Sequence, residues 1–122
     1  MKLKLLIVDD SRVSRMIIKA KTALLQPNWE IFEAASGDEA VAAVVSQQPD
    51  FITMDINMPG INGFEAVAQI RSKGCQAKIA MLTANIQDSS RAQARQLAVH
   101  FVPKPVTELA IQQAVDYFLV PL

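Results

Sequence analysis

The sequence predicts an α/β fold, a doubly wound five-stranded parallel sheet with helices on both faces. Three observations carry this. Short runs of continuously apolar, β-prone residues recur along the chain, as strands buried on both faces require. Each run is followed by a polar loop and then a segment with apolar residues at helical spacing, the βα alternation of a parallel sheet with right-handed crossovers. No Gly-, Pro- or Ser-rich linker divides the 122 residues, so 1–122 reads as one domain, large enough for its own core.

The first predicted strand is Leu5–Val8, stopped by Asp9 and Asp10. Ser11 suits an N-cap, and Val13, Met16, Ile17, Ala20 and Leu24 recur at three- and four-residue spacing up to Pro27, which predicts a helix. Glu30–Ala34 reads as a second strand, 36–39 as a turn and helix start, and Ala40–Val45 as a small-residue helix ended by Pro49. Phe51–Met54 is the third strand, 58–63 a turn-rich loop, and Phe64–Arg71 a helix with Phe64, Val67 and Ile70 on one side, closed by Gly74. Ile79–Leu82 is the fourth strand, Asp88–Leu97 a polar helix, Phe101–Val102 part of a short fifth strand, and Thr107–Leu119 the final helix. Trp29 and the methionines read as packing residues.

The 12 basic and 12 acidic residues cancel, leaving no net field to draw the protein to nucleic acid or an anionic membrane. The amino-terminal apolar run is too short for a signal sequence and no run approaches the length of a membrane span. Cys75 is the single cysteine, so an internal disulfide is excluded, and no Cys/His spacing suits zinc. A reducing, cytoplasmic setting is expected.

In such sheets ligands bind beyond the carboxyl ends of the strands, so the polar residues there matter most. They are Asp9 and Asp10 after the first strand, Asp55 after the third, Thr83 after the fourth and Lys104 after the fifth. Three carboxylates at one edge disfavour joint ionisation unless a cation compensates them. Few ligands, all of them oxygens, favour Mg²⁺ retaining several waters over a Ca²⁺ cage. With the cation on one side and the Lys104 ammonium on the other, the edge is a cradle for a phosphoryl group. Asp55 is then the candidate nucleophile, with the Thr83 hydroxyl helping to stabilise the equatorial oxygens.

The whole chain resembles the response-regulator receiver family. The resemblance rests on Ile-Val-Asp-Asp-Ser at 7–11, Ala-Ser-Gly-Asp-Glu-Ala at 35–40, Asp-Ile-Asn-Met-Pro-Gly-Ile-Asn-Gly-Phe-Glu at 55–65, Leu-Thr-Ala at 82–84 and Lys-Pro at 104–105. It implies a flavodoxin-like, CheY-like receiver fold in which Asp9 and Asp10 hold Mg²⁺ and Asp55 accepts the phosphoryl group. It further implies that the Asn57 main-chain carbonyl ligates the metal and Lys104 contacts the phosphoryl group. Thr83 and Phe101 resemble the switch pair that remodels the surface of the fourth helix, fifth strand and final helix. Asn57 and Asn85 fall where the family tunes acyl-phosphate lifetime, and a cis peptide is implied between Lys104 and Pro105. Three departures stand out: Phe101 replaces the commoner tyrosine, Pro103 is unusual, and Leu97-Ala98 replaces a Gly-Ala pair, removing the customary left-handed cap of the fourth helix.

The implied partners are a sensor histidine kinase or histidine phosphotransfer protein as donor, docking on the first helix with Arg12 and Arg15, and a downstream protein. A monomer is expected, of the single-domain chemotaxis or phosphorelay type, acting as a switch rather than a turnover enzyme. Two rivals are an adaptor that is never phosphorylated, which would be marked by loss of Asp55, Lys104 or an acidic partner, and an aspartate-nucleophile phosphohydrolase. The latter needs a second Asp two places after its nucleophile, where this chain has Asn57 or Ser11, and a substrate-covering cap. No role is expected for His100 or Cys75.

Overall fold

The computed structural model describes residues 2–83, 92, 95–104 and 106–120. Five parallel strands, β1 (Lys4–Val8), β2 (Glu30–Ala34), β3 (Phe51–Asp55), β4 (Lys78–Thr83) and β5 (Val99–Pro103), form one sheet in the order β2-β1-β3-β4-β5. The helices are α1 (Arg12–Leu25), α2 (Gly37–Gln47), α3 (Gly63–Ser72) and a C-terminal helix (Glu108–Leu119). The doubly wound α/β architecture is therefore as the sequence predicts. Of the helix expected over 88–97, residues 92 and 95–97 are helical and the others lie outside the described residues, as do Asn85 and Pro105 with its implied cis bond.

Local chemistry starts each helix where the sequence places a cap. Ser11, Ser36, Asn62 and Thr107 each accept from the main-chain N–H three residues on, satisfying donors that the first helical turn leaves orphaned. Asn62 and Glu65 complete a reciprocal capping box. α2 and α3 extend a residue or more beyond the predicted bounds, as expected where the apolar pattern fades at frayed ends, while the C-terminal helix starts one residue later because Thr107 is its cap.

The sheet separates two apolar layers. Leu6, Val8, Ile52, Met54, Ile79 and Met81 pack with α2 and α3. Leu5, Ile7, Phe51, Ala80, Leu82 and Val102 pack with Ile18 and the C-terminal helix. Alternation along the strands sends neighbouring residues to opposite layers. At the amino-terminal end of the sheet, Phe51 stacks on Phe118 at 4.8 Å and Trp29 lies 4.9 Å from Phe51. Lys78 Nζ donates to the carbonyls of Tyr117 and Val120, fastening the end of the C-terminal helix.

The helix predicted after Ser11 is present, and its apolar stripe faces outward. Val13, Met16 and Leu24 are 64%, 59% and 79% exposed, and Ile17 and Ala20 also face outward, whereas Ile18 and Thr22 are buried. Arg15 lies on the inward side, where it donates to the Asp9 carbonyl at 2.7 Å and to Glu33 at 3.0 Å. Residues three and seven places after Arg15 share that inward face, and the apolar stripe lies opposite them. Met16 is consequently not a packing residue.

Candidate functional site

Asp9, Asp55, Thr83 and Lys104 arrive at one edge because a strand ends at each. Asp9 follows β1, Asp55 is the last residue of β3, Thr83 the last of β4, and Lys104 follows β5. β1 and β3 lie side by side in the sheet, which brings Asp9, Asp10 and Asp55 together. One carboxylate oxygen from each lies within 4.8 Å of the others. Asp9 and Asp55 are buried and Asp10 is exposed.

Lys104 Nζ donates to Asp55 Oδ1 at 3.0 Å from the other side. The Lys104 amide in turn donates to the Thr83 carbonyl at 2.8 Å, continuing the β4–β5 ladder to the lysine itself. Burial raises the pKa of Asp55 above its usual 3.8. The Lys104 hydrogen bond opposes that rise, and the negative charges of Asp9 and Asp10 add to it.

The donor set suits a hard divalent cation. Asp9 Oδ1 accepts from the Ser11 amide at 2.8 Å, while Asp9 Oδ2 is buried with no hydrogen-bond partner among the described residues. The only other such side-chain atom described is Thr53 Oγ1, a neutral hydroxyl, whose desolvation costs far less than that of a carboxylate oxygen. Three clustered carboxylates with one such oxygen fit an oxygen-ligated Mg²⁺. Asn57 is exposed in the loop after β3.

The loop beyond Asp55 is held by a close approach that only glycine allows. The Gly63 amide donates to the Ile56 carbonyl at 2.8 Å, and a Cβ at Gly63 would lie 2.5 Å from the Asp55 carbonyl oxygen and 2.8 Å from Ile56 Cα. Gly63 and the inward, structural part played by Arg15 escaped the sequence reading. The first carried a signal, its place inside the 55–65 motif; the second carried none beyond its charge. Arg15, expected on an open docking surface beside Arg12, is turned inward with its side chain 14% exposed.

On the neighbouring strand Phe101 is half-buried and meets Phe64 edge-on at 6.3 Å. Thr83 is buried at the end of β4. His100 is exposed and stacks on Tyr117 at 4.7 Å, outside the acidic cluster. Cys75 is partly buried against the α2–α3 layer.

This sheet order, with three carboxylates and a lysine converging at its carboxyl edge, is the arrangement of a receiver. The chain belongs to the response regulator receiver domain family, whose pattern it matches over residues 5–116. It is 37% identical over 116 residues to the chemotaxis protein CheY of Listeria monocytogenes, covering 93% of this chain and 96% of that one. It is 35% identical over 118 residues to protein-glutamate methylesterase/protein-glutamine glutaminase 1 of Geobacter sulfurreducens, spanning 93% of this chain but 32% of the relative. Among solved structures, chemotaxis protein CheY4 of Vibrio cholerae aligns with a TM-score of 0.87 at 27% identity, over 98% of this chain and 100% of that one. The chain is thus a two-component response-regulator receiver domain, a signalling module. Among the described residues, no helix is long and apolar enough to cross a membrane.

Proposed function

We propose that this receiver is a phosphorylation-activated switch in which Asp55 accepts a phosphoryl group from a phosphohistidine. The observation that carries the reading is the convergence on Asp55 of the Lys104 ammonium at 3.0 Å and two further carboxylates within 4.8 Å. In the transfer an Asp55 carboxylate oxygen attacks phosphorus as the P–N bond to the donor imidazole breaks, and the imidazole nitrogen departs with the bonding pair. Lys104 lies where it can balance charge on the equatorial oxygens, and Thr83 offers a hydroxyl from the next strand. Asp9, Asp10, Asp55 and the Asn57 carbonyl would hold Mg²⁺, which when bound supplies the positive charge that lets anionic carboxylate and anionic phosphoryl approach.

Arg12 and the outward stripe Val13, Met16 and Ile17 begin just after the acidic pair. They favour α1 as the docking face for the histidine kinase or phosphotransfer protein, since exposed apolar side chains gathered on one helix face mark an interaction surface. Phosphorylation adds about two negative charges, and we infer that the response passes through Thr83 and Phe101 to the surface around β5 and the C-terminal helix, where a downstream protein binds. A cytoplasmic setting is part of the same reading.

The test is intact-protein mass spectrometry after incubation with a small phosphodonor, with and without Mg²⁺, on the wild type and Asp55→Asn. One phosphoryl adduct that needs Mg²⁺ and is lost in the variant is expected. No adduct on the wild type with any donor would make this receiver a phosphate-independent adaptor.

A further inference from the structure

Beside the outward stripe, α1 and the C-terminal helix enclose a groove of about 380 Å³ lined by Lys21, Leu24, Leu25, Glu108, Leu109 and Gln112. Three leucines share it, with Leu24 79%, Leu109 67% and Leu25 38% exposed. Singly exposed leucines are ordinary, whereas several lining one concavity give a second copy something apolar to bury. Its two charged residues, Lys21 and Glu108, take part in none of the ion pairs among the described residues.

We propose that this groove is a twofold interface with a second copy of the chain. An interface built on a twofold axis must be complementary to itself, each residue meeting its counterpart's partner. Here one wall carries an exposed leucine and a cation, Leu24 and Lys21, and the other an exposed leucine and an anion, Leu109 and Glu108. An axis through the groove sets Lys21 of each copy opposite Glu108 of the other, making two reciprocal pairs around a leucine centre. A polyanion or an anionic bilayer would gain at Lys21 and lose at Glu108. A second copy satisfies both, and the balanced 12 basic and 12 acidic residues impose no net repulsion between copies. The groove begins at Lys21, about 13.5 Å along α1 from Arg12, which leaves the first turns of α1 to another partner. The proposal does not depend on the chemistry at Asp55.

Sedimentation equilibrium of the whole chain over a wide concentration range tests it, with circular dichroism to confirm folding of each variant. The wild type should dimerise, and Lys21→Glu and Glu108→Lys should each weaken association about tenfold or more, because both symmetry-related pairs become like-charged. The decisive sample is the equimolar mixture of the two single variants, in which every crossed pair is again of opposite sign, so association should return as a heterodimer. Leu109→Asp should abolish it. A wild type that stays monomeric to its solubility limit overturns the proposal, as does a dimer indifferent to all of these substitutions.

Discussion

Lys104 Nζ and Asp55 Oδ1 lie 3.0 Å apart although 49 positions separate them in the chain. This contact sets one cation against a carboxylate whose other charged neighbours are anions. Lys104→Met keeps the apolar stem and removes the charge. It should slow phosphoryl uptake by about 100-fold, the scale of losing one preorganised donor. The rate of adduct formation by mass spectrometry measures this, and an unchanged rate would remove Lys104 from the chemistry.

Asp55 also makes stability depend on pH. Its native pKa is raised, first by burial and then by the Asp9 and Asp10 charges, so between 3.8 and the raised value the native state binds more proton than the unfolded chain. Stability from this group therefore falls as pH rises through that window and stays lowered above it. In a chelating buffer Asp55→Asn should be more stable than the wild type at neutral pH, with the advantage shrinking as pH falls towards 3.8. Urea midpoints at a series of pH values decide the matter, and a pH-independent difference would contradict the assignment.

Gly63→Ala places a methyl group against main chain rather than movable side chain, 2.5 Å from the Asp55 carbonyl oxygen. The expected cost is about 2 kcal/mol, read from urea unfolding, together with slower phosphoryl uptake because Asp55 itself must shift. Full stability with normal uptake would show that the loop relaxes freely.

Ala98 has φ 56°, a left-handed conformation on a residue with a Cβ. The left-handed cap that Leu97-Ala98 was expected to lose is thus present, on alanine. Arg71 holds the turn, donating to the carbonyls of Leu97, Ala98, Cys75 and Ala77 at 3.2, 3.2, 3.1 and 2.7 Å. Ala98→Gly should stabilise the fold by roughly 0.5–1 kcal/mol. Arg71→Ala should cost about 2–3 kcal/mol, and Arg71→Lys should not restore it, since one ammonium cannot replace a planar fork of donors. Thermal unfolding of the three variants tests both halves.

Thr83 is buried at the end of β4, next to the strand that carries Phe101. Thr83→Ala should still accept a phosphoryl group at Asp55 but lose most of the resulting gain in affinity for the downstream protein. Titration of phosphorylated and unphosphorylated variant against that partner is the measurement; an affinity gain equal to that of the wild type would exclude Thr83 from the switch.

What was legible in the sequence was whatever depends on chain order. Buried parallel strands write themselves as apolar runs, and the residue that ends each run must lie at the carboxyl edge, so Asp9, Asp55, Thr83 and Lys104 could be placed before any coordinates. Caps were legible for the same local reason, as Ser11 illustrates. The orientation of α1 was not. Periodicity reveals that a helix has an apolar face but not whether the protein or a partner covers it, and here Arg15, bonded to the Asp9 carbonyl and to Glu33 eighteen positions away, lies on the inward face with Ile18 and Thr22. Arg71 was equally silent, because the carbonyls it gathers come from segments up to 27 residues away.

The placement of the single tryptophan gives the protein a built-in optical reporter with a definite blind side. Trp29 belongs to the aromatic group with Phe51 and Phe118, and Phe51 opens the strand that Asp55 closes, about 13 Å further along. Its emission should register the melting of the layer beneath the C-terminal helix while staying nearly silent when a small cation enters the acidic edge. Fluorescence on this chain should therefore report folding with little response to occupancy of the site.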